Sequence, residues 1–190
     1  MPNLTNNLMF WYKQNKRKFP WREKKNLKNP YFVMVSEIML QQTNTNTVID
    51  YFKKFILKWP NIYSLSNARL NEILFFWQGL GFYKRANNLL DTSKILIKKY
   101  NGKIPTNYKD LINLPGIGEY TANAILTLAY KKKRIGLDVN INRVASRLFN
   151  LNIKDKKKIY QKLSYHLPNK KTDDFMQALM DVGATLCKKK

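Results

Sequence analysis

A chain of 190 residues that is 44% hydrophobic and 13% aromatic holds enough apolar material for one substantial core or two small lobes, which excludes a wholly disordered polypeptide. Thirty-five Lys and Arg against 12 Asp and Glu leave a formal charge of +23, so a polyanion is the expected partner and nucleic acid the leading one, with part of the lysine reflecting an AT-rich coding composition. The single cysteine, Cys187, excludes an intrachain disulfide and any metal site built from cysteines; a start without signal-peptide character and no apolar run near the roughly 20 residues of a membrane span make the expectation a soluble, cytoplasmic protein with no membrane partner.

Apolar residues recur at helical spacing nearly throughout, and strand-like alternation is hard to find. Leu8, Trp11 and Tyr12 open one amphipathic segment, and Val48, Tyr51, Phe52, Phe55 and Ile56 mark another. Prolines 20, 30, 60, 105, 115 and 168, together with Gly79 and Gly81, divide the chain into helices of ordinary length. Helices are predicted over about Phe32–Gln41, Leu70–Phe76, Tyr83–Tyr100, Lys109–Asn113, Glu119–Tyr130, Asn140–Asn150, Lys156–Leu167 and Asp173–Cys187. The charge runs Lys131–Arg134 and Lys188–Lys190 read as solvated loop and tail.

Between two of these helices lies Leu114-Pro115-Gly116-Ile117-Gly118, a tight turn followed by Glu119, Tyr120, Thr121 and Ala122. Two glycines around one apolar residue let the backbone turn sharply while Ile117 enters the core, and the amides opening the second helix are then free to bind a phosphate. Such a hairpin grips DNA without reading its sequence. An ordinary glycine-containing connection is the plainer and weaker reading.

Two carboxylates stand out in a chain short of acids. Glu37 sits in Val33-Met34-Val35-Ser36-Glu37-Ile38-Met39-Leu40, where an acid is unexpected. Held against apolar side chains, it would keep its proton toward neutrality and serve as a general acid. Alternatively, Glu37, Gln41 and Asn44 form a polar stripe at helical spacing that faces water, and the residues by themselves favour that stripe. Asp138 precedes the helix beginning near Asn140, so it reads as an N-cap whose amides keep the carboxylate ionised. One neutral acid and one fixed anion are what glycosidic cleavage requires. A base inside a duplex must also be extruded before chemistry can reach it; Leu40-Gln41-Gln42-Thr43 and Phe82-Tyr83 offer wedges, although each could equally be packing at a helix end.

Taken in order, Phe19-Pro20-Trp21-Arg22, Ser36–Thr43, Trp77–Tyr83, Leu114–Gly118 and Phe175–Ala184 resemble the catalytic domain of MutY-type adenine DNA glycosylases, within the endonuclease III superfamily, from about Trp11 to Cys187. The resemblance implies an all-α, two-lobed helix-hairpin-helix fold with the active site in the cleft between lobes: a six-helix lobe over about 25–135 and a second from about 1–24 plus 136–190. It implies base-excision repair by a monofunctional enzyme that hydrolyses the N-glycosidic bond of adenine mispaired with 8-oxoguanine or guanine in double-stranded DNA, acting at the nucleoid, with a monomer sufficing. Glu37 would protonate adenine at N7, Asp138 would stabilise the sugar cation, and Tyr120 and Asn140 would place the carboxylates and the water. Trp21, Arg22, Leu40 and Gln177 would line the adenine pocket; Gln42 and Phe82 would enter the base stack, with Gln41, Thr43, Tyr83, Gly116, Gly118 and Thr121 as further DNA contacts. Relatives that also cut the strand carry a lysine where this chain has Tyr120, which implies no efficient lyase step.

The sequence departs from that pattern in three places. Asp138 is followed by Val139 instead of Gly, and a β-branched residue does not easily take positive φ, so the turn aiming Asp138 is expected to differ. Phe82 stands where tyrosine is usual. Family members continue past the match to Cys187 with three more cysteines that hold a [4Fe-4S] cluster and then a domain that inspects 8-oxoguanine; one thiolate cannot hold that cluster, so no cofactor is expected from these residues. A DNA-binding remnant without catalysis and an endonuclease III-like glycosylase for oxidised pyrimidines are the competing readings.

Overall fold

In the sequence TNTVIDYFKKFILK, Val48, Phe52 and Phe55 fall on one face and are buried while the lysines fall on others, and Asn44 caps the helix by accepting from the Asn46 amide at 2.9 Å. The same logic, an apolar stripe opened by a short polar cap, recurs along the computed structural model, which describes residues 4–188. The first three residues of the N-terminal start and the last two lysines of the terminal charge run lie outside the described residues. Along the chain run α1 (Leu4–Asn15), a 3-10 turn (Pro20–Arg22), α2 (Lys24–Leu27), α3 (Pro30–Met39), α4 (Thr45–Lys58), α5 (Ile62–Ser66), α6 (Leu70–Trp77), α7 (Lys84–Tyr100), α8 (Tyr108–Ile112), α9 (Glu119–Leu128), α10 (Val139–Leu148), α11 (Lys156–His166) and α12 (Thr172–Thr185). No strand occurs among the described residues.

The chain divides into two units, one of Lys18–Ile125 and one combining the chain up to Arg17 with the chain from Leu126 onward. In the first, α3 packs on α4 and α7, α5 and α6 pack on α7, and the core closes around Phe52, Phe55, Leu65, Ile73, Trp77, Leu89 and Leu111. Aromatic edges join it: Phe55 meets Trp59 with ring centroids 4.7 Å apart and Trp77 at 6.2 Å. Asparagine starts helix after helix here, with Asn29, Asn61 and Asn107 each accepting from a backbone amide of the first turn.

In the second unit α12 packs on α1 and α10, and α11 packs on α10. Leu8, Tyr12, Ile141, Phe175, Met176 and Leu179 form its core. Arg17 Nε reaches Asp181 Oδ1 at 2.6 Å, and the Thr5 hydroxyl donates to the His166 carbonyl at 2.8 Å, tying α1 to segments more than a hundred residues later.

The eight predicted helices all occur, with ends shifted by one or two residues. The predicted Phe32–Gln41 segment begins earlier, because Asn29 caps it and Pro30 occupies the first turn. It stops at Met39, where Arg85 takes the carbonyls of Ile38 and Met39 and the chain turns off to a left-handed Gln42. The 3-10 turn, α2 and α5 are too short to carry a periodic signal and have no counterpart among the predicted elements.

Candidate active site

Helix α3 is buried along most of its length, and Glu37 lies within it at 4% exposure. The water-facing stripe of Glu37, Gln41 and Asn44 therefore does not exist. The helix has ended before Gln41, and Asn44 is the cap of α4.

The loop after α3 is built on the hairpin. Gln41 Nε2 donates to the Gly116 carbonyl at 3.0 Å and lies 3.3 Å from the Thr121 hydroxyl, which is buried. Gln41 thus spends its amide on holding the turn. In the hairpin between α8 and α9, Ile117 is buried as the pattern predicted, Leu114 is buried beside it, and the Ile117 amide donates to the Leu114 carbonyl at 3.1 Å. Gly116 has φ +76, and a Cβ there would stand 2.9 Å from Asn88 Cβ, so the position requires glycine. Gly118 is exposed with open space around it. Thr92 of α7 donates to the Pro115 carbonyl at 2.8 Å and anchors the turn from below. Tyr120 is partly exposed in the first turn of α9.

Two side chains that the resemblance sends into a base stack stand out of this unit. Gln42 has φ +58 and is exposed; Phe82 has φ +49 and is 53% exposed. Positive φ in a non-glycine residue is uncommon and persists only where the surroundings impose it. Tyr83 beside Phe82 is also exposed, and Thr43 turns inward, its hydroxyl 3.3 Å from the Leu80 carbonyl. Beneath both loops lies a residue that sequence reasoning missed. The Arg85 guanidinium is buried, with Nη1 donating to the carbonyls of Met39 (2.6 Å), Ile38 (3.3 Å) and Gln41, and Nη2 to Thr43 Oγ1 (2.8 Å), Gly81 O (2.9 Å) and Leu80 O (3.0 Å). Burial lowers its pKa from the usual arginine range. An arginine followed by Ala86 carries no motif that signals such a role.

Of the four expected pocket residues, three belong to this unit. Trp21 is buried in the 3-10 turn, stacked on Phe19 at 4.9 Å and edge-on to Phe52 at 5.8 Å. Arg22 lies over Phe19, 5.2 Å from the ring centroid. Leu40 closes α3 and is partly exposed. Phe19, the first residue of the Phe19-Pro20-Trp21-Arg22 motif, is a further member of this cluster.

The other unit holds Asp138, Asn140 and Gln177. Asp138 has the role that its position predicted, capping α10: Oδ1 accepts from the Ile141 amide at 2.6 Å and Oδ2 from Asn140 Nδ2 at 3.2 Å. Burial raises the Asp138 pKa above its ordinary value; the Ile141 amide, Asn140 and the Arg143 charge pull it down without overcoming that penalty. Val139 opens α10 at 67% exposure, Asp138 sits at φ −82, and neither residue has a left-handed backbone. Asn140 is fixed in turn by Arg143 Nη2 at 2.8 Å, and the absent Cβ of Gly183 leaves room for it, since a Cβ there would fall 2.7 Å from Asn140 Cβ. Gln177 is buried in α12, its Nε2 donating to the Asp173 carbonyl one turn back at 3.2 Å.

Cys187 Sγ accepts from Arg147 Nη1 at 3.2 Å, so the one thiol is occupied by an arginine. Among the described residues no group of three or more His, Cys, Asp or Glu could hold a metal ion. The residues present therefore do not fit a [4Fe-4S] cluster. No helix among them is long and apolar enough to cross a membrane.

Comparison with known proteins joins these parts. The chain is 45% identical over 186 residues to an adenine DNA glycosylase of Buchnera aphidicola subsp. Baizongia pistaciae, covering 96% of this chain and 52% of the relative. It is 37% identical to the adenine DNA glycosylase of Rattus norvegicus, covering 95% of this chain and 37% of that one. The chain thus spans about half, or less, of the length of these curated relatives. Among solved structures it resembles a thermostable thymine-DNA glycosylase, with a TM-score of 0.87 at 29% identity over 96% of this chain and 85% of that one. A trapped endonuclease III-DNA covalent intermediate shares the fold, with a TM-score of 0.84 at 22% identity over 97% and 85% of the two chains. The family model for "HhH-GPD superfamily base excision DNA repair protein" matches residues 35–169, taking in Glu37, the hairpin and Asp138. With an all-helical architecture and a glycine hairpin agreeing with that match, the chain belongs to the HhH-GPD superfamily of base excision DNA repair proteins.

Proposed function

We propose that this chain is the catalytic part of a monofunctional adenine DNA glycosylase acting on adenine opposite 8-oxoguanine or guanine in duplex DNA. The observation that carries the reading is Glu37, an acid at 4% exposure inside an apolar helix. Similarity to adenine DNA glycosylases over nearly the whole chain supports the same base.

In this reading Glu37 donates its proton to N7 of the extruded adenine. The C1′–N9 bond breaks with its electron pair going to the base, and positive charge develops on the sugar. Asp138 meets that charge as an anion. Its carboxylate is poorly hydrated and held by the Ile141 amide and Asn140, so its field on a nearby cation is little screened. Water then adds at C1′, its proton passing to the Glu37 carboxylate, and an abasic site is left. Tyr120 supplies no amine for a covalent lyase intermediate. The lobes of about 25–135 and of about 1–24 plus 136–190 are the halves that would carry the two carboxyls, with Trp21, Arg22, Leu40 and Gln177 contacting adenine. Gly116, Gly118 and the amides near Thr121 would hold phosphate, and Gln42, Phe82 and Tyr83 would replace the extruded base. A monomer working at the nucleoid suffices for this scheme.

The test mixes excess protein with a labelled duplex carrying one adenine opposite 8-oxoguanine and treats the products with alkali. Wild type should yield strand cleavage only after alkali, while Glu37→Gln and Asp138→Asn lower the single-turnover rate at least about a hundredfold. Binding without cleavage by wild type would sink the reading and leave a DNA-binding protein. Cleavage before alkali would sink its monofunctional part.

A further inference from the structure

Arg85 joins two loops that are separated by about forty residues in sequence. Its guanidinium faces six acceptors: Ile38 and Met39 at the end of α3, Gln41 and Thr43 from the α3–α4 loop, and Leu80 and Gly81 from the α6–α7 loop. Each loop presents one exposed side chain on a left-handed backbone, Gln42 in the first and Phe82 in the second. The guanidinium also lies between rings, 5.6 Å from the Trp77 centroid and 5.3 Å from that of Phe82. Nε is buried without a hydrogen-bond partner, an orphan donor accepted for the sake of the other contacts.

We propose that Arg85 is the positioning residue that locks the Gln42 and Phe82 loops into one rigid two-pronged wedge, so that both side chains enter the duplex together when a nucleotide is extruded. The inference rests on the proposed glycosylase reading. The warrant is geometric: a planar fork of fixed donors can satisfy carbonyls arriving from two directions, whereas separate loop-to-loop contacts would leave each loop free to relax from its unfavourable φ. A direct contact from the Thr43 hydroxyl to the Leu80 carbonyl also ties these loops, and at 3.3 Å it is long. Lysine at position 85 would offer a single ammonium in place of the fork and could not serve both sets of carbonyls.

The experiment has a protein arm and a DNA arm. Fluorine is placed on the ring of Phe82 in one sample and of Phe55, in the core, in another; 19F spectra of the DNA-free protein are compared between wild type and Arg85→Lys. The Phe82 signal should be a single line in wild type and several lines or one broadened line in the variant, while Phe55 keeps one line. A shift alone does not count, because removing a nearby cation moves the resonance anyway. In the second arm, duplex carrying 2-aminopurine opposite 8-oxoguanine reports extrusion as a fluorescence rise. That rise should be at least about tenfold slower in the variant, with binding of an undamaged duplex within about threefold of wild type. An unsplit Phe82 line, or extrusion at the wild-type rate, overturns the inference. So does broadening of Phe55 as well, which would make Arg85 a general core residue. Wild type that raises no fluorescence also overturns it. Should Arg85→Lys not fold, Thr43→Val removes one of the six acceptors and carries the same comparison, with extrusion slowed about threefold and an unchanged rate overturning the inference. Wild type that extrudes the base and releases no adenine would end the adenine reading while leaving this inference standing.

Discussion

Asp138 carries two opposing demands. As the cap of α10 it accepts from the Ile141 amide, which favours a negative charge; as a buried group it loses hydration, which disfavours that charge and prevails. A folded-state pKa above the ordinary 3.8 means that the native protein binds the proton more tightly than the unfolded chain does. The associated stability is fully present below 3.8 and is lost as pH rises through the folded value. Asparagine caps helices as well as aspartate and carries no charge. Asp138→Asn is therefore expected to be at least as stable as wild type at pH 7, with its advantage shrinking toward pH 4; urea denaturation at several pH values checks this. A variant less stable by the same amount at every pH would show that the cap, and not the desolvated charge, dominates. If the variant is more stable and also inactive, the carboxylate is kept for chemistry at a cost in stability.

The hairpin separates two uses of glycine. Gly116 combines φ +76 with the close approach of Asn88, so Gly116→Ala should lose about 1–3 kcal/mol of stability, measured by denaturant unfolding. Gly118 has neither constraint, and Gly118→Ala should leave stability within about 0.5 kcal/mol. Its effect should fall on binding: if a phosphate rests on the amides there, a methyl group in its path weakens duplex affinity by about tenfold. Equal loss of stability in both variants would contradict this division. The hairpin was legible because its chemistry lies in consecutive residues, two glycines around a core isoleucine. Asp138 as a cap was legible for the same reason. The burial of Glu37 was not, since one side of α3 cannot be ranked as wet or dry until α4 and α7 pack on it. Arg85 was less legible still: five of its six partners are main-chain carbonyls, which every residue possesses. The left-handed backbones of Gln42 and Phe82, which no propensity favours, lie in the two loops that this tertiary network joins.

Across the whole molecule the charge of +23 sets how binding responds to salt. Each phosphate neutralised contributes about −0.9 to the slope of log K against log salt, so a duplex gripped by several lysines and arginines should show a slope steeper than about −4 in a titration of undamaged DNA. A slope near zero would assign the lysine to coding composition and remove the polyanion reading. The discontinuous unit has a different consequence, for the order of events at the ribosome. Helix α1 packs on α12, Thr5 donates to His166, and Arg17 pairs with Asp181, 164 residues further along the chain. At the roughly 5–20 residues per second of translation, α1 emerges about 10–30 s before the helix that covers Leu8 and Tyr12 has been made. The continuous 18–125 stretch has all its own partners by then and can condense while synthesis proceeds. Helix α1 is thus made long before it can find its place, and during that wait its apolar stripe is open to chaperones or to other nascent chains.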